Sequence, residues 1–241
     1  MTADASVLAI HGAGAGAWEW AIWQRCFELA GWRFTAVDLP LAAHRREMAL
    51  ADIAVDDDLA FLREARARDP QAVLLGASLG AAYAQKLAAE RAAADLLLVG
   101  AVPAFQVPGF SAKSWPTLVT WADDPQLART ARALPDVHPA DWAYAHRRWR
   151  DESGAVLRQA WGGLLPHAVP LGGLVLAGAL DEDTPPTLQR QLAQAIGAEY
   201  QEVSGASHAG LLLGRHAVSA ALRCLAYLER SRAVRVALAS G

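Results

Sequence analysis

The 241-residue chain carries 22 Lys and Arg against 25 Asp and Glu, a formal charge of −3, so no bulk positive charge is available to hold a polyanion and nucleic acid is not an expected partner. At 54% hydrophobic and 20% charged the composition excludes a disordered chain, and a domain of this length hides roughly 70% of the surface its unfolded form exposes. The longest apolar stretch, residues 96–105, is far shorter than the roughly 20 residues that cross a bilayer, and the first six residues lack the features of a secretory signal, so a cytoplasmic protein without a membrane span is expected.

Short β-type apolar runs alternate with longer segments of helical period, the pattern of an α/β protein whose parallel sheet is covered by helices on both faces. In chain order the spacing predicts a strand over 7–10, a helix over 17–30, a strand over 34–39, a helix over 57–68, a strand over 72–76, a helix over 79–91 and a strand over 96–102. From 105 to 171 no strand is clear, and prolines from Pro103 to Pro170, Pro125 among them, bound short segments. A structureless loop of that length is improbable, so this interval is read as a helical lid inserted after the fourth strand. Strands over 174–179 and 200–203 and helices over 186–196 and 210–229 complete the pattern. Residues 1–104 and 172–230 are thus the expected core, 105–171 the lid and 231–241 a fraying tail. Cys26 and Cys224 are far apart and outside any C-x-x-C pattern, which fits buried, reduced thiols.

Gly76-Ala77-Ser78-Leu79-Gly80 joins the third strand to the helix after it, the context a G-x-S-x-G nucleophile elbow requires. Its plainer reading is a tight glycine-rich turn. Serine alone is a weak nucleophile and needs an imidazole to take its proton and a carboxylate to orient that imidazole. Asp181 lies just past the fifth strand and His208 follows the sixth, in the chain order serine, acid, histidine. Asp183 competes for the acid role, but Asp181 is closer to the strand end and Asp183 is placed to cap the next helix. The remaining histidines, His11, His44, His138, His146, His167 and His216, read as surface or loop residues; no metal site or cofactor is expected.

After the first strand comes His11-Gly12-Ala13-Gly14-Ala15-Gly16-Ala17-Trp18-Glu19-Trp20. It superficially suggests a dinucleotide loop, but G-x-G-x-x-G is not matched because residue 17 is alanine. Beside a G-x-S-x-G elbow the stretch has another use: the N–H groups of Ala13 and Leu79 form an oxyanion hole.

Together His11-Gly12 with Trp20, Val37-Asp38-Leu39-Pro40, the Gly76–Gly80 elbow, and Gly178-x-x-Asp181-x-x-x-Pro185 with Gly205-x-x-His208 resemble the α/β-hydrolase superfamily over nearly the whole chain. The stretch HGAGAGAWEW is similar to the HG-x-G-x-G-A-W-x-W of the plant methylesterase and hydroxynitrile lyase branch. The resemblance implies an α/β-hydrolase fold with a trimmed parallel sheet of six strands, lacking the usual N-terminal β-hairpin. It also implies a triad of Ser78, Asp181 and His208 with oxyanion donors at Ala13 and Leu79. Serine at the elbow separates the chain from epoxide hydrolases and haloalkane dehalogenases, which carry aspartate there. The family's G-H-G after D-L-P is replaced by Leu41-Ala42-Ala43-His44, and no lid lysine matches that of the lyase branch.

Nine tryptophans fall into two groups, one around the first glycine-rich loop (Trp18, Trp20, Trp23, Trp32) and one in the lid (Trp115, Trp121, Trp142, Trp149, Trp161). They line an apolar pocket or simply pack the core. His11, Gly12, Trp18, Trp115 and Trp149 are the pocket candidates. Arg147, Arg148 and Arg150 beside Trp149 present either a site for a carboxylate or the phosphopantetheine arm of a carrier-bound substrate, or a solvated helix face. The expected function is a cofactor-independent serine hydrolase (esterase, lactonase or thioesterase) for a small or medium apolar acyl group. The alternatives are a lyase, acyltransferase or cyclase acting on a biosynthetic intermediate with the same residues, and a non-catalytic receptor on the same fold.

Overall fold

The computed structural model describes residues 5–39, 48–110, 113–121, 130–131 and 134–239; Pro40, Leu41-Ala42-Ala43-His44 and Pro125 lie outside them. The elements in chain order are β1 (Ser6–Ile10), a 3-10 turn (Ala17–Trp20), α1 (Ala21–Leu29), β2 (Arg33–Val37), α2 (Val55–Arg68), β3 (Val73–Ala77), α3 (Leu79–Glu90) and β4 (Leu96–Val99). Then follow β5 (Leu118–Val119), α4 (Pro139–His146), β6 (Glu152–Ser153), α5 (Gly154–Gly162), β7 (Leu174–Gly178), α6 (Pro186–Ile196), β8 (Glu199–Val203), α7 (Gly210–Leu213) and α8 (Ala217–Ala239).

Six strands form one parallel sheet in the order β2-β1-β3-β4-β7-β8, with Leu8 beside Leu74, Leu75 beside Leu97, Leu98 beside Val175 and Leu176 beside Gln201. The expected α/β class, with helices on both faces of a six-stranded parallel sheet, is the one observed. The central strands are apolar throughout because both faces are covered. Leu8, Leu74, Leu98 and Val175 point toward α2, α3 and α6, while Val7, Val73, Leu97 and Leu176 meet α1 and α8. Each such buried side chain contributes about 1.5–3 kcal/mol relative to exposure.

Strand ends differ from the sequence expectation, for reasons that lie far along the chain. The second strand stops at Val37 rather than residue 39 because Asp38 turns to accept from Ala17 N–H (2.8 Å) and Leu39 N–H donates to His11 Nε2 (3.0 Å). The fourth stops at Val99 rather than residue 102: the buried amide of Gln189 takes both the N–H (2.9 Å) and the carbonyl (2.8 Å) of Ala101 in place of a ladder. The helix expected over 210–229 is broken at Gly214 and its second part runs on to Ala239. The expected fray after Arg230 is absent there because Asp95 anchors the last turns, accepting from Ser231 Oγ (3.0 Å) and pairing with Arg235 (2.7 Å).

Between β4 and β7 the chain leaves the sheet. It forms a two-residue antiparallel ladder, β5 with β6, that is too short to show a period-2 pattern, so the interval is not strandless as expected. Its attachments to the sheet domain are specific. Leu164 and Leu165 N–H both donate to Ala104 O (2.7 Å), Ser153 Oγ donates to Ile53 O (2.6 Å), and Val156, Leu157, Ala160 and Trp161 enter the core. No described helix is long and apolar enough to cross a membrane.

Candidate active site

Ser78 is the residue between β3 and α3, and among the described residues it is the non-glycine residue held at positive φ, with φ +49° and ψ −117°. A backbone held there costs about 1–3 kcal/mol and persists only when its surroundings fix it. They do so through Ser78 N–H to Val99 O (3.0 Å) and through Ser78 O, which accepts from Ala81 and Val102 (3.1 Å each). The glycines of the elbow are steric requirements. A Cβ at Gly80 would run into the carbonyl of Ile10, and one at Gly76 into the backbone of α3.

Asp181 and His208 meet beyond the carboxyl ends of β7 and β8. His208 Nδ1 lies 2.7 Å from Asp181 Oδ2, and the same oxygen accepts from Thr184 Oγ1 (2.9 Å). The other oxygen, Oδ1, accepts from the N–H groups of Asp183 and Thr184 (2.9 Å each), so the carboxylate is fixed by its own loop. Burial by itself opposes charge on Asp181, but the His208 ring and these hydrogen bonds outweigh it and hold the carboxyl below its ordinary 3.8. Burial also opposes charge on His208. There the Asp181 charge and hydrogen bond prevail, with Asp183 and Glu19 adding to them, and the ring's pKa is raised above its ordinary 6.5. An ionised Asp181 requires the proton on Nδ1, which leaves Nε2 free as an acceptor. It is Asp181, not its competitor Asp183, that holds the imidazole.

The loop after β1 is braced on both sides of Ala13. Gly12 N–H donates to the buried Glu19 Oε1 (2.8 Å) and Gly14 N–H to Glu152 Oε2 (3.3 Å), whereas the N–H groups of Ala13 and Leu79 have no acceptor among the described residues. His11, expected as a surface or loop residue, is instead buried and neutral. Its Nε2 accepts from Leu39 N–H, so Nδ1 carries the proton and donates to Gly12 O (2.8 Å), the carbonyl of the peptide whose N–H is that of Ala13. That bond polarises the Ala13 donor. Burial pulls the His11 pKa down to about 4 and pushes that of Glu19 up to about 7. The alternating glycines serve packing rather than phosphate binding: a Cβ at Gly14 would strike the Trp121 ring, and one at Gly16 the Arg150 guanidinium.

Ala13, Ser78 and His208 border a cavity of about 350 Å³ whose other walls are largely aromatic, formed by Trp115, Trp121, Trp149 and Trp161. Asp183 and Thr184 close one side, and Lys113, Thr130 and His146 add polar groups. No hydrogen bond joins the Ser78 hydroxyl to the His208 ring in this structure; such contacts are often long without substrate. Of the expected pocket residues, Trp115 and Trp149 line this cavity. His11, Gly12 and Trp18 do not: His11 and Gly12 are buried, and Trp18 packs edge-on to Trp149 and Tyr144. Trp20, Trp23 and Trp32 are core residues under the sheet. Of the three arginines, Arg150 pairs with Asp38, Arg148 lies over the Tyr144 ring (3.7 Å), and none borders the cavity. His146, expected as a surface or loop residue, borders the cavity instead, and Lys113, which the sequence did not single out, joins it there; a lone histidine at a helix end carries no periodic signal. Among the described residues no cluster of His, Cys, Asp or Glu is arranged to hold a metal ion. Cys224 is buried, Cys26 is half-buried rather than buried as expected, and both are free.

The architecture recurs in solved structures. A polyneuridine aldehyde esterase superposes with a TM-score of 0.69 at 20% identity, over 91% of this chain and 98% of the other. A methylesterase from Arabidopsis gives 0.70 at 15% identity (92% and 99%), and a mutant of tomato methylketone synthase I gives 0.68 at 16% (94% and 100%). At these identities the likeness is one of fold. No curated protein sequence matches the chain. A model of the alpha/beta hydrolase family matches residues 7–221, and the chain belongs to that family.

Proposed function

We propose that the chain is a cofactor-independent serine hydrolase that cleaves the ester, lactone or thioester of a small or medium apolar acyl group through an acyl-enzyme. One observation carries the reading: a strained Ser78, a His208 oriented by Asp181, and Ala13, whose N–H has no acceptor among the described residues, border the same aromatic cavity, with the N–H of Leu79 next to Ser78 in the chain. Ser78 Oγ attacks the carbonyl carbon while its proton passes to His208 Nε2, and the carbonyl electron pair moves onto oxygen, received by the N–H groups of Ala13 and Leu79. As the intermediate collapses, the leaving alcohol or thiol takes that proton. Water then attacks the acyl carbon, giving its proton to His208, and Ser78 departs with it. Asp181 stabilises the imidazolium formed in each half. Removing one oxyanion donor typically costs about two to three decades in turnover.

Residues 105–171 act in this reading as a lid that supplies the aromatic walls. A cavity of about 350 Å³ is at the small end of the range for ligand sites, which favours short or medium acyl groups. Two of the structural neighbours are named as esterases, which agrees with ester chemistry. The neighbour named as a methylketone synthase keeps a second reading open, in which His208 acts as base in a lyase, acyltransferase or cyclase without an acyl-enzyme. Ser78→Ala separates the two. It is expected to lose at least about a thousandfold in ester turnover while melting like the parent; retained turnover of the natural substrate would favour the second reading.

A further inference from the structure

One wall of the cavity, formed by the end of α4 and by Thr130, contains a hydrogen-bond relay that the proposed hydrolysis does not use. Trp149 Nε1 lies 3.2 Å from Thr130 Oγ1, and Thr130 Oγ1 lies 3.1 Å from His146 Nδ1. An indole N–H can only donate, so the Thr130 oxygen accepts from Trp149. The hydroxyl's own proton can then be given to His146 Nδ1. A neutral imidazole that accepts at Nδ1 carries its proton at Nε2. In that arrangement of the relay His146 Nε2–H is a donor without a partner among the described residues, on a residue that borders the cavity.

Ring packing holds these parts in place. Trp149 meets Trp18 edge-on at 5.4 Å, Trp18 meets Tyr144 of α4 at 6.0 Å, and Trp142 of the same helix is tied by its Nε1 to Leu134 O (2.9 Å). His146 is therefore a placed donor in a mainly aromatic cavity, where an N–H is worth most to a ligand that answers it and costs most to one that does not. Lys113 brings a second donor to the same cavity, its ammonium 5.9 Å from the Trp161 ring.

We propose that His146 binds an oxygen acceptor of the substrate distinct from the carbonyl that Ser78 attacks, and that Thr130 and Trp149 are positioning residues that keep the Nε2 proton in place. The substrate class is then a bifunctional acyl compound carrying a second carbonyl or a carboxylate, not a plain alkanoate. This deepens the hydrolase reading and rests on it only in assuming that the substrate occupies this cavity.

The test compares p-nitrophenyl esters of 4-oxopentanoate, 5-oxohexanoate and 6-oxoheptanoate, and the half-esters of glutarate and adipate, each with the unsubstituted alkanoate of equal chain length. At least one oxygenated ester is expected to exceed its parent about fivefold or more in kcat/KM, mainly through KM. Preference for the oxo-esters identifies a neutral carbonyl, and preference for the half-esters a carboxylate. In His146→Ala the ratio collapses toward one, His146→Gln, which keeps an N–H donor, restores part of it, and Thr130→Val lowers it. The proposal is overturned if no oxygenated ester is preferred, or if the ratio survives in His146→Ala while both rates fall together, as a merely structural role would produce. The same ratios are read as binding constants from tryptophan fluorescence in Ser78→Ala, using the methyl esters of the same acids. If nothing is hydrolysed yet the oxygenated ligand binds more tightly and His146→Ala removes the difference, the hydrolase reading fails and this one stands.

Discussion

His208 is under two opposing influences, and their balance sets a measurable pH dependence. Burial favours the neutral ring, Asp181 favours the imidazolium, and the net shift is upward from 6.5. Only the neutral ring can take the Ser78 proton, so kcat/KM is expected to rise with pH along an acid limb whose midpoint lies above 6.5. Asp181→Asn removes the largest upward influence and leaves burial opposed only by the charges of Asp183 and Glu19. The limb should move to lower pH while the rate falls by roughly three to four orders of magnitude, and a limb that stays in place would show that another group sets it. Glu19 gives a stability test of opposite sense. Burial raises its pKa from 4.5 to about 7, so the folded state keeps a proton that the unfolded chain releases. Its contribution is fully present below pH 4.5 and is lost as pH rises through 7. Glu19→Gln keeps an oxygen for Gly12 N–H but cannot ionise. It is expected to stabilise the protein by on the order of 2–3 kcal/mol at pH 8 and by little near pH 4.5. Denaturant melts at both values check this, and an equal effect at each would contradict it.

The loop after β1 and the strand segment around β6 form a single clamp. Arg150 N–H donates to Gly14 O (2.7 Å), Glu152 receives Gly14 N–H, the Arg150 guanidinium holds Asp38, and Asp38 receives Ala17 N–H. Of the three glycines in this loop, Gly14 and Gly16 face the clamp. Gly16 has φ −174°, extended backbone that any residue adopts, so Gly16→Ala acts through its collision with the paired Arg150 and Asp38 side chains, Arg150 foremost. It is expected to lower kcat about tenfold or more by shifting Ala13, and Arg150→Ala in the same chain should recover part of the loss. Additive losses in the double variant would contradict the clamp. The clamp also shows where sequence reading stops. Strands β1, β3, β4 and β7 were legible because burial on both faces makes them continuous apolar runs, and Ser78, Asp181 and His208 were legible because each follows a strand end. Asp38 to Ala17, Leu39 to His11 and Ala101 to Gln189 were not, since each joins positions with no local pattern between them. His146 and Thr130 were missed for the same reason. Their meaning lies in a relay closed by tertiary contact.

The parallel sheet explains why residues 78 and 208 border one cavity, with residue 181 against the ring of 208. Strands β3, β7 and β8 run in the same direction, so the loops at their carboxyl ends emerge on one side, where open α/β sheets bind ligands. The outer strand β8 is shielded by charge rather than by a further strand, through Arg190 to Glu202 (2.7 Å) and Arg230 to Glu199 (3.0 Å). These exposed pairs contribute little to stability, which rests on the two apolar layers either side of the sheet. Within this frame the proposed acyl transfer to Ser78 is read by rapid mixing with p-nitrophenyl butyrate. A burst of p-nitrophenolate near one equivalent of enzyme, followed by slower turnover and absent from Ser78→Ala, is the expected result. Release of the same size and rate from the Ser78→Ala protein would contradict the account.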